Sequence, residues 1–164
     1  MSLLSYKTVW VLGVYGSLHQ LQWLAPLAAF FYVIFYLKQR SFNPTNIAYL
    51  ITACFIGSLI ETFIFQRFVY DYPVTHSLSP FIPLWLISIW FAFPCMCDLS
   101  LNHQLKKIKF TLFFGFILCP LPYLGASRLG TIILHNEFTG ILILSFTWAL
   151  IMFSIHLFIK NNTP

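Results

Sequence analysis

Six apolar runs follow one another along this chain, separated only by short polar breaks. The first follows Lys7 and extends through Ser17. The others are Leu21 to Leu37, Asn46 to Phe68, Pro80 to Leu101, Phe110 to about Pro122, and Gly140 to Ile159. A helix needs roughly 20 such residues to cross the hydrocarbon core of a bilayer. Most of the runs approach that length, and the first and fifth look short. The chain has 164 residues, 59% of them hydrophobic and 8% charged, whereas soluble domains are about 45–50% apolar and about 25% charged. A domain of this size leaves a large part of its surface exposed, so lipid must be the solvent for most side chains. The expected fold is all-α, a polytopic membrane bundle of about six transmembrane helices forming one integral-membrane domain over residues 1–164. No Ser/Gly-rich linker, charge block or solenoid period divides it, and an inverted repeat of the transporter kind stays open.

The first run could pass for a signal peptide, with Gly16 near a cleavage point. Its positive region is thin and the next run starts almost at once, so it reads as a first transmembrane helix. The formal charge of +5 does not point to nucleic acid, because the basic residues are scattered between apolar runs as topology signals are. With six spans, Lys7, Lys38, Arg40, Lys106, Lys107, Lys109 and Lys160 fall on one side, and only Arg67 and Arg128 on the other. Positive residues stay in the cytoplasm, so both termini are expected there, in a bacterial inner membrane.

The fifth run breaks at Cys119 to Thr131, read as CPLPYLGASRLGT. Pro120 and Pro122 interrupt it, and Gly125 and Gly130 bracket Arg128. Irregular backbone at membrane depth survives only where protein or a wet cavity satisfies it, and an ionisable residue there suggests a functional site. Gly125 to Leu134 reads equally as a re-entrant hairpin, a surface helix or the rest of a long kinked span. In the third run, Glu61 lies one turn past Gly57 on the same face, a pairing that asks for close helix packing. Arg128 is expected at the same depth, so the economical partner of Glu61 is Arg128. That pair either ties the third helix to the fifth or forms a site for a polar head group.

Tyr123 reads first as an interfacial anchor and second as a proton donor, with Ser127 beside it. His135 and Glu137 are expected in a solvated loop. Tyr70 to Pro73 is expected as a wet aromatic loop. Arg67 and Asp71 are spaced as a surface pair, and Asp98 as a helix-end polar residue. Pro83 suits a first helical turn, with Trp85 and Trp90 packed inside. Cys54, Cys95, Cys97 and Cys119 read as small core residues.

No HExxH and no clustered histidine box appears among His19, His76, His103, His135 and His156. Gly125 to Leu129 lacks the second glycine of a GxSxG elbow, which leaves little for a Ser127 nucleophile with His135 as base. No phosphate loop or dinucleotide fingerprint occurs, and no cofactor or metal is expected. Asn161-Asn162-Thr163 fits a glycosylation sequon, on a tail expected to be cytoplasmic.

Several pieces together resemble the bacterial domain-of-unknown-function family 2878. Pro120-Leu-Pro-Tyr123 with Ser127-Arg128-Leu129-Gly130 is similar to its "GPLxYxxGxRLGA" signature. Gly57 with Glu61 resembles its G-x-x-x-D. Pro83-Leu84-Trp85 with Trp90 and Phe93 resembles its "PLWLxxLWxxF", and Ser100-Leu101 its "SL". Trp10, Gly13 and Trp148 also match. Glu61 stands for the usual Asp, Cys119 for the usual first Gly, and the glycine after Tyr123 comes one position early. The resemblance implies a small multi-spanning inner-membrane protein and no established activity.

Three functions are therefore open. The first is an enzyme or binding protein for a lipid or other amphipathic molecule, at an outer-leaflet site of Glu61, Tyr123, Ser127 and Arg128. The second is a non-enzymatic partner or assembly subunit of another membrane protein. The third is a small dimeric transporter. The partners expected are the bilayer, such a ligand, a membrane-protein partner or a second copy.

Overall fold

The computed structural model describes residues 2–73 and 82–162. It contains α1 (Ser2–Leu18), α2 (Leu24–Gln39), α3 (Pro44–Phe68), α4 (Leu84–Leu105), α5 (Ile108–Arg128) and α6 (Glu137–Asn162). Two short strands, β1 (Tyr70–Asp71) and β2 (Ile133–Leu134), pair antiparallel with Tyr70 opposite Leu134. The expected start of the fourth span at Pro80, His76 and the sequon residue Thr163 lie outside the described residues.

The fold is the expected all-α bundle. Four helices, α3 to α6, are long and apolar enough to cross a membrane. The short members are α1 with 17 residues and α2 with 16. The fifth is not short, since α5 runs 21 residues, past both of its prolines.

Local chemistry sets these boundaries. The Asn43 side chain accepts the Thr45 N–H at 2.9 Å and Pro44 takes the first turn of α3, an arrangement that satisfies or removes N–H groups left open at a helix start. Pro83 stands just before α4, not inside it, and its carbonyl accepts the Leu86 N–H at 3.0 Å. Within α5, Pro120 has no N–H and its ring would strike the carbonyl four residues back. The helix answers with a wide π turn over Phe114–Leu118, in which the Cys119 N–H reaches back to the Phe114 carbonyl at 2.9 Å. A turn at Cys119 and Pro120 follows, and helix resumes at Leu121. Gly125 to Arg128 is thus the last turn of α5, and β2 completes the stretch to Leu134.

A second π turn spans Glu61–Phe65. There the Thr62 hydroxyl bonds back to the Ser58 carbonyl at 2.9 Å, a contact that loosens a helix ladder. A third, Cys97–Leu101, follows Pro94 in α4.

Helix α4 is the axis of the bundle. α1, α2 and α3 pack on it, while α6 packs on α5. The two groups join where Trp90 of α4 stacks on Trp148 of α6, with ring centroids 5.1 Å apart and planes 4° apart. Gly115 lets α5 close on α6, because a Cβ there would lie 2.7 Å from the Trp148 carbonyl oxygen. Large apolar side chains such as Phe31, Phe55, Phe63 and Leu150 stand exposed on the outer faces, where lipid would meet them.

The two ends of the bundle are closed differently. At the end bearing Lys106, Lys107 and Lys109, Arg40 makes a two-pronged contact with Asp98, 2.8 Å at each oxygen. Asn102 adds a bond to Asp98 at 3.2 Å. Nearby, His156 Nδ1 donates to the Leu105 carbonyl at 2.7 Å. At the opposite end the β1–β2 strand pair ties α3 to the link between α5 and α6, and the His135 N–H donates to the Val69 carbonyl at 2.9 Å.

Candidate functional site

Glu61 is fully buried, with no exposed surface. It lies 17 residues beyond Pro44, some 25 Å along α3 at ~1.5 Å per residue, and therefore towards the end closed by the β1–β2 pair. A buried carboxylate ordinarily requires a cation or several hydrogen bonds. Here it has three donors from three elements, all neutral. The Tyr70 hydroxyl of β1 bonds Oε2, the Tyr123 hydroxyl of α5 donates to Oε1 at 2.7 Å, and Trp90 Nε1 of α4 donates to the same oxygen at 3.2 Å.

Each donor arrives for a readable reason. Tyr70 and Tyr72 alternate with Asp71, so a strand sends both tyrosines inward and Asp71 outward. Both are buried, at 0% and 8% exposure, and their rings pack edge to face at 5.5 Å. The expected wet loop is therefore an inward-facing strap. Burial first, and the Glu61 carboxylate second, push the Tyr70 phenol well above its usual range, so it stays protonated as a donor. Trp90 reaches Glu61 because position 57 has no side chain, since a Cβ at Gly57 would lie 2.1 Å from the Trp90 ring. Tyr123 is placed by the turn at Pro120, whose carbonyl accepts the Tyr123 N–H at 3.0 Å. Phe65 and Trp148 wall the Tyr123 ring at 5.7 and 6.4 Å.

The expected pairing of Glu61 with Arg128 does not form. Arg128 bonds Glu137 at 2.8 Å, and both side chains are well exposed, at 75% and 56%. The reason lies in the chain between them. Once α5 resumes after Pro120, Tyr123 faces Glu61, and Arg128 comes five residues later in the last turn, at the bundle surface. Glu137 opens α6 and does not belong to a free loop. Asp71 pairs with His135 Nε2 at 2.9 Å and not with Arg67, which lies 5.9 Å from the Phe68 ring centroid. Ser127 is half-buried, and its carbonyl accepts the Gly130 N–H at 3.0 Å.

Sequence reasoning singled out Glu61 and Tyr123, which the structure joins, and missed Tyr70 and Trp90 as their companions. The alternation of Tyr70, Asp71 and Tyr72 was the available signal for the first. The second was hidden in a contact between helices 29 residues apart in sequence. Among the described residues no group of three or more His, Cys, Asp or Glu side chains is placed to hold a metal.

Four helices long and apolar enough to cross a membrane, gathered about one enclosed carboxylate, make an all-α bundle and suggest a membrane protein. The chain belongs to the family described as Protein of unknown function (DUF2878), which matches residues 1–154. No curated protein and no solved structure matches it.

Proposed function

We propose that this protein binds an amphipathic molecule within the bilayer, its head group received at Glu61 and its apolar body lying beside α3 and α5. The observation that carries the reading is the fully buried Glu61 carboxylate, bonded by Tyr70, Tyr123 and Trp90 with no cation bonding it among the described residues. Ionisable groups inside a membrane bundle mark ligand or ion pathways more often than ornament. An ionised carboxylate offers about four acceptor positions. Three are used, and the free one suits a hydrogen-bond donor on a cationic head. Tyr123 is only partly buried, which makes the side between α3 and α5 the natural approach. Arg128 sits outside this site and would meet the head groups of surrounding lipid. In the same reading both termini are cytoplasmic and the site lies in the outer half of a bacterial inner membrane.

The test is thermal unfolding of the purified protein in mild detergent with dodecylamine, dodecylphosphocholine or lauric acid added separately. Dodecylamine should raise Tm by several degrees, an effect lost in Glu61→Gln and Tyr123→Phe and kept in Arg128→Ala. If no amphiphile raises Tm in a Glu61-dependent way and native mass spectrometry finds no bound lipid, the reading fails. The competing reading, a non-enzymatic assembly subunit, draws on the way the closed cluster ties α3, β1, α4 and α5 together. A stable co-purifying membrane protein would favour it.

A further inference from the structure

Glu61 is bonded only by groups that can pass or tolerate a proton. The titratable side chains around it are phenols: Tyr70 and Tyr72 from the strap that begins at β1, Tyr123 from α5, and Tyr6 from α1. Trp90 from α4 contributes an N–H that stays in place. Among the described residues no lysine, arginine or histidine forms an ion pair with the carboxylate, and the pairs that do form, Arg40–Asp98, Arg128–Glu137 and His135–Asp71, lie at the bundle ends. With no fixed cation among the described residues, hydrogen bonds alone hold this carboxylate, and a proton is the positive species small enough to join it. A proton needs no cavity, and a hydroxyl already donates to each oxygen.

We propose that Glu61 is a proton-exchange site, loaded and unloaded through the Tyr123 hydroxyl. Tyr123 is 2.7 Å from Oε1 and is only partly buried, whereas Tyr70 has no exposed surface. On loading, Tyr123 passes its phenolic proton to Oε1 as its oxygen takes another proton from the surface side. One proton has then entered, the tyrosine is again a neutral phenol, and the carboxylate has become a carboxylic acid. Unloading is the reverse. Buried acids are recurrent members of proton relays in membrane bundles, and here the groups beside the acid are hydroxyls. The assignment requires no amphipathic ligand, so it stands or falls separately from the binding reading.

The experiment is infrared difference spectroscopy of the protein in lipid nanodiscs, titrated from about pH 4 to about pH 9, a range that spans ordinary and buried carboxyl groups. A carboxylic C=O band should appear as pH falls, vanish in Glu61→Gln and shift in frequency in Glu61→Asp. Tyr123→Phe should keep the band, move its frequency and slow its appearance after a pH jump severalfold, while Tyr70→Phe should move the frequency and leave the rate. A band present at every pH would mean a trapped proton, and no Glu61-dependent band would mean a permanently ionised carboxylate. Either result overturns the proposal, as does a Tyr123→Phe variant with unchanged frequency and rate. Circular dichroism on each variant checks that the fold survives.

Discussion

Residue 61 shows how a buried charge can be satisfied without an opposite charge. Hydrogen bonds to charged groups contribute roughly 1.5–3 kcal/mol each, and Glu61 has three. Removing an acceptor shared by three donors, two of them buried, strands all of them, so Glu61→Arg should disrupt folding. Arg128 has a different standing, because its exposed pair with Glu137 belongs to a class worth about 0–1 kcal/mol. A charge swap separates the two cases. Arg128→Glu alone should shift Tm only slightly in detergent, through repulsion with Glu137. The double variant Glu61→Arg with Arg128→Glu should be no more stable than Glu61→Arg alone. Recovery in the double variant would show that the two side chains touch after all.

At the scale of elements, the end of α5 carries the most specific backbone chemistry. Gly130 has φ +79°, and no atom would meet a Cβ there within 4 Å, so its role is conformational and not packing. The Gly130 N–H donates to the Ser127 carbonyl and the Thr131 N–H to the Ala126 carbonyl, both at 3.0 Å. That is the Schellman closure, in which a left-handed residue satisfies the last carbonyls of a helix. Gly130→Ala should therefore lower stability by about 1–2 kcal/mol, read from denaturant unfolding, and Gly130→Asn by less, since asparagine tolerates the left-handed region. An alanine as stable as wild type would mean the turn can rearrange freely. Part of this was legible in the sequence, where Pro120 and Pro122 announced an irregularity, whereas Gly130 read only as a packing residue. What the pattern could not reveal was that a π turn absorbs Pro120, so that α5 continues instead of ending. Helix against loop in such a stretch is decided by which carbonyls find donors, and sequence spacing does not carry that information.

For the whole molecule, apolar run length and charge distribution were enough to foresee a helical bundle, because both follow directly from the solvent the chain must occupy. They placed Glu61 and Arg128 together on depth alone, although depth says nothing about which way a helix face is turned. Orientation belongs to this scale. A single accessible cysteine in place of Lys107, between α4 and α5, should react with a membrane-impermeant maleimide only after cells are opened. One in place of Glu137, at the end closed by β1 and β2, should react in intact cells. The reverse pattern would put both termini outside.

The wiring of the carboxylate also has a consequence for how the protein is made. Ribosomal synthesis delivers the chain from its N-terminus, so Glu61 enters the membrane before every one of its donors. Tyr70 follows nine residues later, Trp90 after 29 and Tyr123 after 62. Through that interval α3 is a nascent span with an unsatisfied acid, and it can settle only when α4 and then α5 have been released beside it. Insertion of the third helix is thus completed by the fifth.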